Sequence, residues 1–528
     1  MRKTLLAGTA ILGSASGALA QMEAAPGVFQ SQGQMAMPWA GGPAPNNNNN
    51  AWGTAQPTGT KVPAPGTVVI RLNGRVYVEG DAGFSNIMSI PAGVYSGATT
   101  ASTSTAGTVT GTAVHLTPAA TSPTNYKQNP ISISSFLRLY PAVDGMATNG
   151  MRYGASAEIR ENFMGGNSLS AGNNYALAGG GAISAGSGAA SASGVSSGQT
   201  LYVRRAFAYF GSDQMGIVRV GNGDGLIGLY DAAGIFTGQG TYDGGIGGLN
   251  DAALQATLSN NFLTSEFYLS GSGIEYGNTK AVYLTPSFFG FDFGLQYDPN
   301  MGNGFSSGGV TASPYQLGYC SAAGPDCINV TSGTDGTRVV NRFGFGVRYN
   351  GTFAGLTLRG FGVYELSGKE STAPLTFGTG AKTYKGFYDG QSFFNGGLAA
   401  TYLGVTAAVD GTIGRMNPSN DGLVPQGAKE TMGIIGTLMY ANGPFTVGTS
   451  AFTLDWFGSP TLSGISQRHE AALAIGAAYA IAPGITFGAE YQYVLKHQGD
   501  FDFVTGANDG AYNTIKAQGV TLATIVSW

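Results

Sequence analysis

The stretch TVVIRLNGRVYVE, residues 67–79, decides the fold because apolar side chains occupy every second position. Its even positions are apolar or glycine: Val68, Ile70, Leu72, Gly74, Val76 and Val78. Its odd positions include the polar residues Arg71, Asn73, Arg75 and Glu79. Successive side chains of a β-strand point to opposite faces, so this stretch predicts a strand with one apolar and one polar face.

The same alternation recurs along the chain, for example in residues 151–160 and 485–493. A soluble β-sandwich also alternates, so the period alone does not distinguish it from a membrane barrel. Segment length favours the barrel, because strands of about 9 to 15 residues are long for a globular protein and suit a tilted membrane crossing. The predicted strands are 67–80, 131–141, 149–162, 199–211, 215–222, 277–287, 290–298, 337–349, 355–365, 391–402, 404–415, 430–441, 444–457, 467–481, 484–498 and 512–528.

Short turns predict how these strands connect. They lie at residues 143–145, 212–214, 287–290, 350–351, 402–404, 442–444 and 482–484. Because long connections alternate with them, they predict an all-β fold, a transmembrane up-and-down antiparallel β-barrel of about 16 strands. The turn at 287–290 is the weakest signal, so barrels of about 14 or 18 strands stay possible.

The composition agrees with a barrel whose outer wall faces lipid. Only 10% of the residues are charged, against about 25% in soluble globular proteins. Charge is costly on a lipid-facing wall, which leaves the lumen and the loops to hold it. Three histidines and two cysteines, with no catalytic or metal motif, predict no enzyme, no metal site and no cofactor. The formal net charge of −4 offers no basic surface for nucleic acid.

The chain divides into three predicted parts. Residues 1–20 read as a secretory signal peptide, with Arg2 and Lys3 before a short apolar run and cleavage expected between Ala20 and Gln21. Residues 21–66 are rich in proline, alanine and glutamine and predict a flexible periplasmic extension. Residues 67–528 form the predicted barrel domain.

Four segments resemble Gram-negative general diffusion porins, in particular the alpha-proteobacterial type. YVRRAFAYFGSDQMGIVRVG (202–221) is similar to the porin hairpin that leads into an inward-folded loop, and TKAVYLTPSFFGFDFGLQY (279–297) to the hairpin that follows it. AIAPGITFGAEYQY (480–493) resembles the penultimate hairpin. The C-terminus resembles the signal read by the outer-membrane assembly machinery, with Trp528 in place of the usual Phe. Its apolar face consists of Val520, Leu522, Val526 and Trp528, and Thr524 interrupts that face.

The resemblance implies a Gram-negative outer-membrane protein. Such porins are sixteen-stranded barrels, usually homotrimers, embedded in outer-membrane lipid and inserted by the assembly machinery. They let ions and small hydrophilic solutes diffuse passively. The resemblance therefore implies a porin function without cofactor or catalysis.

Two charged groups are predicted to meet at the pore constriction. The polar faces of the first three strands carry one set, Arg71, Arg75, Arg138, Arg152 and Arg160. Strands that are neighbours in sequence are neighbours in such a barrel, so these arginines predict one cationic sector. The loop 222–252 carries the other set, Asp224, Asp231, Asp243 and Asp251, with no lysine or arginine. Opposite charges across a narrow waist would sort ions by sign, but the sign of the selectivity stays open.

Cys320 and Cys327 lie in a loop-like stretch of a chain expected to be exported. An oxidising compartment and an even cysteine count predict a disulfide within this loop, rather than two free thiols.

Two other functions compete with the porin. One is an outer-membrane barrel whose long outer loops serve structure or adhesion. The other is a barrel hydrolase, which would need a nucleophile, a base and a carboxylate near the rim.

Overall fold

A computed structural model of the chain describes residues 63–86, 89–90, 126–127, 131–164, 202–212, 214–223, 225–230, 279–300, 339–369, 375–377, 384–386, 388–417, 424–458, 466–499 and 512–528. Sixteen strands in these ranges form one closed sheet. They are β1 Thr67–Ser85, β2 Ile131–Met146, β3 Arg152–Met164, β4 Tyr202–Ser212, β5 Gly216–Asn222, β6 Thr279–Leu284, β7 Phe291–Asn300, β8 Val339–Phe353, β9 Leu356–Lys369, β10 Ser392–Tyr402, β11 Val405–Arg415, β12 Thr431–Asn442, β13 Phe445–Trp456, β14 Arg468–Ala482, β15 Ile485–Gln498 and β16 Thr514–Ser527.

The sheet is an antiparallel barrel of the predicted type. Each strand pairs with its neighbours in sequence, and β1 pairs with β16 to close the ring. One short helix, α1 Leu226–Tyr230, follows β5. Three pairs of very short strands lie outside the barrel: 89–90 with 126–127, 375–377 with 384–386, and 388–389 with 424–425. None of the described residues belongs to a helix long and apolar enough to cross a membrane.

The two faces of the wall differ as the alternation predicts. In β1 the even positions point outward, and Ile70 is 79% exposed. The odd positions point inward, and Arg75 is only 2% exposed. The exposed side chains on the outside of the other strands are also mostly apolar, including Leu398 and Ile434. The barrel therefore has an apolar exterior and keeps most of its charge inside.

The first connecting turn lies further along the chain than the sequence predicts. Residues 143–145 remain in β2, where Asp144 pairs with Val69 of β1 and Gly154 of β3. The turn occupies residues 147–151, where the Ala147 N–H donates to the Met151 carbonyl at 2.8 Å. The Asp-Gly turn signal fails here because Asp144 forms a buried ion pair with Arg71 inside the barrel.

A second turn is displaced in the same direction. Asn350 and Gly351 were expected to turn but stay in β8, opposite Arg359 and Leu358 of β9. The Asn350 N–H donates to the Gly290 carbonyl at 2.8 Å, which ties this part of β8 to the preceding hairpin turn. The chain turns only after Phe353.

The C-terminal residue completes the ring of hydrogen bonds. The Gly74 N–H donates to the Trp528 carbonyl at 3.1 Å, and the Trp528 N–H donates to the Gly74 carbonyl at 3.0 Å. The four apolar residues of the predicted assembly signal, Val520, Leu522, Val526 and Trp528, all face outward and are exposed. Thr524 lies on the same face and interrupts the apolar run, as the sequence predicts.

Gly74 allows the indole of Trp528 to approach the backbone of β1 closely. A Cβ at position 74 would overlap the Trp528 ring, whereas a Cβ at Gly80 in the same strand would meet nothing within 4 Å. Gly74→Val should therefore destabilise the barrel by about 1–3 kcal/mol through overpacking, and Gly80→Val should not. Urea unfolding of the refolded protein in detergent measures both. Adding Trp528→Ala should restore part of the stability of Gly74→Val, and equal losses for the two valine variants would contradict this packing.

Candidate functional site

Charge on the inner wall of the barrel is distributed unevenly among the strands. Inward positions of β1 to β9 with described side chains carry more cations than anions. The cations are Arg71, Arg75, Arg152, Arg219, Lys280, Arg342, Arg348 and Arg359, and the anions are Asp144, Glu158, Asp292, Asp298 and Glu365. The inward faces of β12, β13 and β16 carry no charged residue; they present mainly alanine, glycine, threonine and apolar side chains. β14 and β15, which lie between β13 and β16, carry Arg468, Glu470, Glu490 and Lys496 on their inward faces, so the neutral strands do not form one continuous side of the lumen.

The backbone register brings three of the predicted arginines into one row. Arg75 of β1 is the direct partner of Arg138 of β2. Arg138 in turn is the direct partner of Arg160 of β3. The predicted cationic sector is therefore contiguous across the first three strands at the level of the backbone.

Arg71 and Arg152 lie nearer the end of the barrel that carries the short turns, here called the turn end. The Arg71 Nε donates to Asp144 Oδ2 at 2.7 Å. The Tyr209 hydroxyl donates to the other oxygen of the same carboxylate. Arg71 is thus neutralised by a partner that the sequence reading had assigned to a turn, which separates it electrostatically from Arg75.

The start of the loop 222–252 lies inside the barrel. All five residues of α1 are buried, and the helix packs against the inner face of β7, β8 and β9. The wall provides room through two glycines at inward positions. A Cβ at Gly294 would overlap the Leu226 side chain, and a Cβ at Gly346 would lie 2.8 Å from the Tyr230 ring. The described part of this loop therefore occupies space in the lumen, as the sequence predicts.

Polar side chains of the wall hold the backbone of this segment at three points. Lys280 donates to the Gly223 carbonyl at 3.0 Å, just before the helix. Gln296 accepts from the Leu226 N–H at 2.5 Å, which satisfies a free donor at the first turn of α1. Arg348 donates to the Leu229 carbonyl at 3.4 Å. The segment is fixed by its backbone as well as by its apolar side chains.

Arg348 links the helix to the wall. Its guanidinium lies 4.9 Å from the centre of the Tyr230 ring, within the range of a cation–π contact. It also donates to Asp292 Oδ2 through Nε at 3.0 Å and Nη2 at 2.9 Å. Burial, with the nearby Asp292 carboxylate, raises the pKa of the Tyr230 hydroxyl, which therefore stays neutral. Arg348 thus joins β7, β8 and α1 in one buried cluster.

The sequence did not single out this cluster. Arg348, Asp292, Gln296 and Tyr230 were not predicted as site residues. The signal was present as glycine alternating with charge or amide at inward positions, in the stretch DFGLQ (292–296) and again in GFGVR (344–348). Alternation locates these glycines on the inner face, but only the folded chain shows that a helix fills the space above them.

Several predicted site residues lie outside the described ranges. They are the loop carboxylates Asp224, Asp231, Asp243 and Asp251, the cysteines Cys320 and Cys327, and the cleavage-site residues Ala20 and Gln21. Of Arg138 and Arg160 only the backbone position is described. Within the described ranges, no three His, Cys, Asp or Glu side chains are grouped to hold a metal ion.

Comparison with known proteins finds likeness in structure alone. No protein-family model matches the chain, and no curated protein matches it. Outer-membrane expressed OmpT of Vibrio cholerae is 11% identical with a TM-score of 0.43, over 89% of this chain and 100% of that one. A mutant of Rh. blastica porin is 13% identical with a TM-score of 0.39, over 87% of this chain and 100% of that one. At these values the likenesses assign no function.

Neutralising the Arg348–Asp292 pair should release α1 from the wall. Arg348→Gln alone would leave a buried carboxylate without its partner, at a cost of about 3–5 kcal/mol. The double variant Arg348→Gln, Asp292→Asn avoids that cost while removing the guanidinium above Tyr230. We expect faster hydrogen exchange of the amides of residues 226–230, measured by mass spectrometry in detergent.

The matched control is a buried ion pair on other strands, Lys496 of β15 with Glu470 of β14, whose charged atoms are 3.6 Å apart. Lys496→Gln with Glu470→Gln should leave exchange in residues 226–230 unchanged. Equal exchange in the two double variants would show that Arg348 does not hold the helix.

Proposed function

We propose that this chain is a porin of the Gram-negative outer membrane, which lets ions and small hydrophilic solutes diffuse passively through a water-filled lumen. The observation that carries the proposal is the sorting of side chains across one closed wall. Charge on the described strands lies almost entirely inside, and the exterior is apolar. A soluble barrel gains nothing from an apolar exterior, whereas a barrel in lipid requires one.

The size of the barrel supports a channel. A closed sheet of eight strands fills its interior with side chains, whereas barrels of 16 to 18 strands enclose an aqueous space. This chain has sixteen strands in its ring. The segment around α1 reaches from the end of β5 to the inner face of β7 to β9 and narrows that space from one side.

The charged residues of the inner wall support selection of ions by the sign of their charge. Arg75, Arg138 and Arg160 are direct partners in the backbone register, and we propose that they place positive charge on one side of the lumen. Fixed charges that line a pore raise the local concentration of ions of opposite sign. The acidic residues Asp224, Asp231 and Asp243 complete the proposed constriction from the loop side.

Burial of the inner wall favours a second candidate, a structural barrel whose lumen does not conduct. Many inward side chains, among them Arg468, Lys496 and Ala517, are buried rather than exposed to an open lumen. In such a protein the outer loops would perform the function. Planar-bilayer recording distinguishes the two, because only a continuous water path gives stable open-channel current steps. Steps from the purified chain support the porin, and insertion without current supports the structural barrel.

We also propose the homotrimeric assembly that the family resemblance implies. Light scattering of the detergent-solubilised protein tests it, with a monomeric mass as the contrary result.

The inward arginines of the first three strands predict a shift in selectivity. Arg75→Gln with Arg152→Gln should move the reversal potential in a salt gradient toward cations, whatever the selectivity of the parent. The matched control is Lys516→Gln, which removes a positive charge from the exposed outer face. The same reversal potential in both variants would place Arg75 and Arg152 outside the ion path.

The loop carboxylates predict the opposite shift. Replacing Asp224, Asp231 and Asp243 together by asparagine should move the reversal potential toward anions. A folded variant with the parent's reversal potential would place this loop outside the constriction.

A further inference from the structure

Three hairpins at the turn end share one unusual backbone geometry. Each connects its strands through two residues: Phe289-Gly290, Ala354-Gly355 and Leu403-Gly404. The φ angles of the first residues are 50°, 49° and 48°, and those of the glycines are 85°, 85° and 81°. Positive φ at both positions is the mark of a type I′ turn, whose hand matches the twist of the flanking strands.

Phe289 and Leu403 are poor choices for this geometry. The first position of a type I′ turn favours Asn, Asp or Gly, because a bulky side chain is strained at positive φ. These residues also point into the surroundings of the barrel, since Phe289 is 84% exposed and Leu403 is 76% exposed. Water would favour a polar residue at both positions. The strain and the exposure together indicate that the turns do not meet bulk water.

Exposed apolar residues near Phe289 and Leu403 extend these two turn tips into one surface, here called the turn-tip patch. It consists of Met215, Phe288, Phe289, Phe353 and Leu403, all exposed. Phe288 and Phe289 pack edge to face with ring centres 4.4 Å apart. The patch spans the turns that join β4 to β5, β6 to β7, β8 to β9 and β10 to β11, which are consecutive around the turn end. The turn after β2 differs, because its tip carries Asn149.

The patch continues the apolar exterior along β7 and β10. Phe291 and Phe293 follow Phe289 on the outside of β7, and Tyr402 precedes Leu403 on the outside of β10. Residues 287–291, 352–357 and 401–405 contain no charged residue. Aromatic side chains concentrate where acyl chains meet headgroups, because their rings tolerate both. The same lipid that covers the exterior is therefore the occupant that fits the patch.

We propose that the turn-tip patch inserts into the headgroup–acyl boundary of the leaflet at the turn end, so that the barrel sits deeper along β5 to β11 than at the turn after β2. The proposal rests on the membrane location proposed above. Insertion would offset the strain at Phe289 and Leu403, because both side chains leave water only when the barrel is embedded. The patch thus anchors one sector of the barrel and sets its tilt.

Tryptophan scanning in vesicles with brominated acyl chains tests the insertion. Phe289→Trp and Leu403→Trp report on the patch, and Asn149→Trp is the matched control at a polar turn tip. The emission of the parent, which has its own tryptophans, is subtracted in each case. The emission at positions 289 and 403 should fall about twofold in brominated relative to ordinary vesicles, with little change at position 149.

Leu398→Trp separates this inference from the proposed membrane location. Leu398 faces outward in the middle of β10, so any membrane barrel should show quenching there. Quenching at 398 with none at 289 and 403 would overturn the insertion of the patch and leave the porin proposal standing. Absence of quenching at 398 would overturn the membrane location and the insertion with it. Shielding of 289 and 403 from aqueous iodide without bromine quenching would assign the patch to a protein partner and also overturn the proposal.

Discussion

The structure depends on one constraint, which is that the backbone donors and acceptors of a wall in lipid must find their partners within the sheet. A wall in contact with lipid has no water to satisfy an open edge, so the sheet must close. β1 and β16 meet from opposite ends of the barrel sequence and pair along residues 75–85 and 517–527. The reciprocal hydrogen bonds between Gly74 and Trp528 complete this seam at the turn end. The remaining features all follow from a ring that has no edge.

Closure of the sheet also fixes whether each side chain faces the exterior or the lumen. Because the strands alternate, a residue in the ring faces either the exterior or the lumen, and a shift of one residue would exchange the two sets. Ile70 and Arg71 are neighbours in sequence, yet one lies on the apolar exterior and the other pairs with Asp144 inside. Charge therefore accumulates inside the wall. The buried pairs, such as Arg348 with Asp292, fasten a folded-in segment to the inner face.

The sequence predicts the wall far better than the site. Strands such as β11 and β15 were placed within one residue, because period-two alternation acts locally along each strand. Two turns were misplaced where a local signal conflicted with a distant contact. The pair Asp144-Gly145 is typical of a turn, but in the fold Asp144 stays in the strand and pairs with Arg71. The pair Asn350-Gly351 is also typical of a turn, but the Asn350 N–H donates to the Gly290 carbonyl and the strand continues. The position of α1 depends on Gly346, which is far away in sequence, so no local pattern could reveal it.

Site-by-site labelling along β1 tests most directly whether one face of the wall meets lipid and the other meets the lumen. Single cysteines at residues 68–76, in a chain whose Cys320 and Cys327 are replaced by serine, can carry nitroxide labels in lipid vesicles. Access of lipid-soluble oxygen and of a water-soluble nickel complex is then compared by electron paramagnetic resonance. We expect oxygen access to peak at 68, 70, 72 and 76 and to fall at 69, 71, 73 and 75. Loss of this two-residue period, or nickel access at the even positions, would contradict a barrel with its apolar face in lipid.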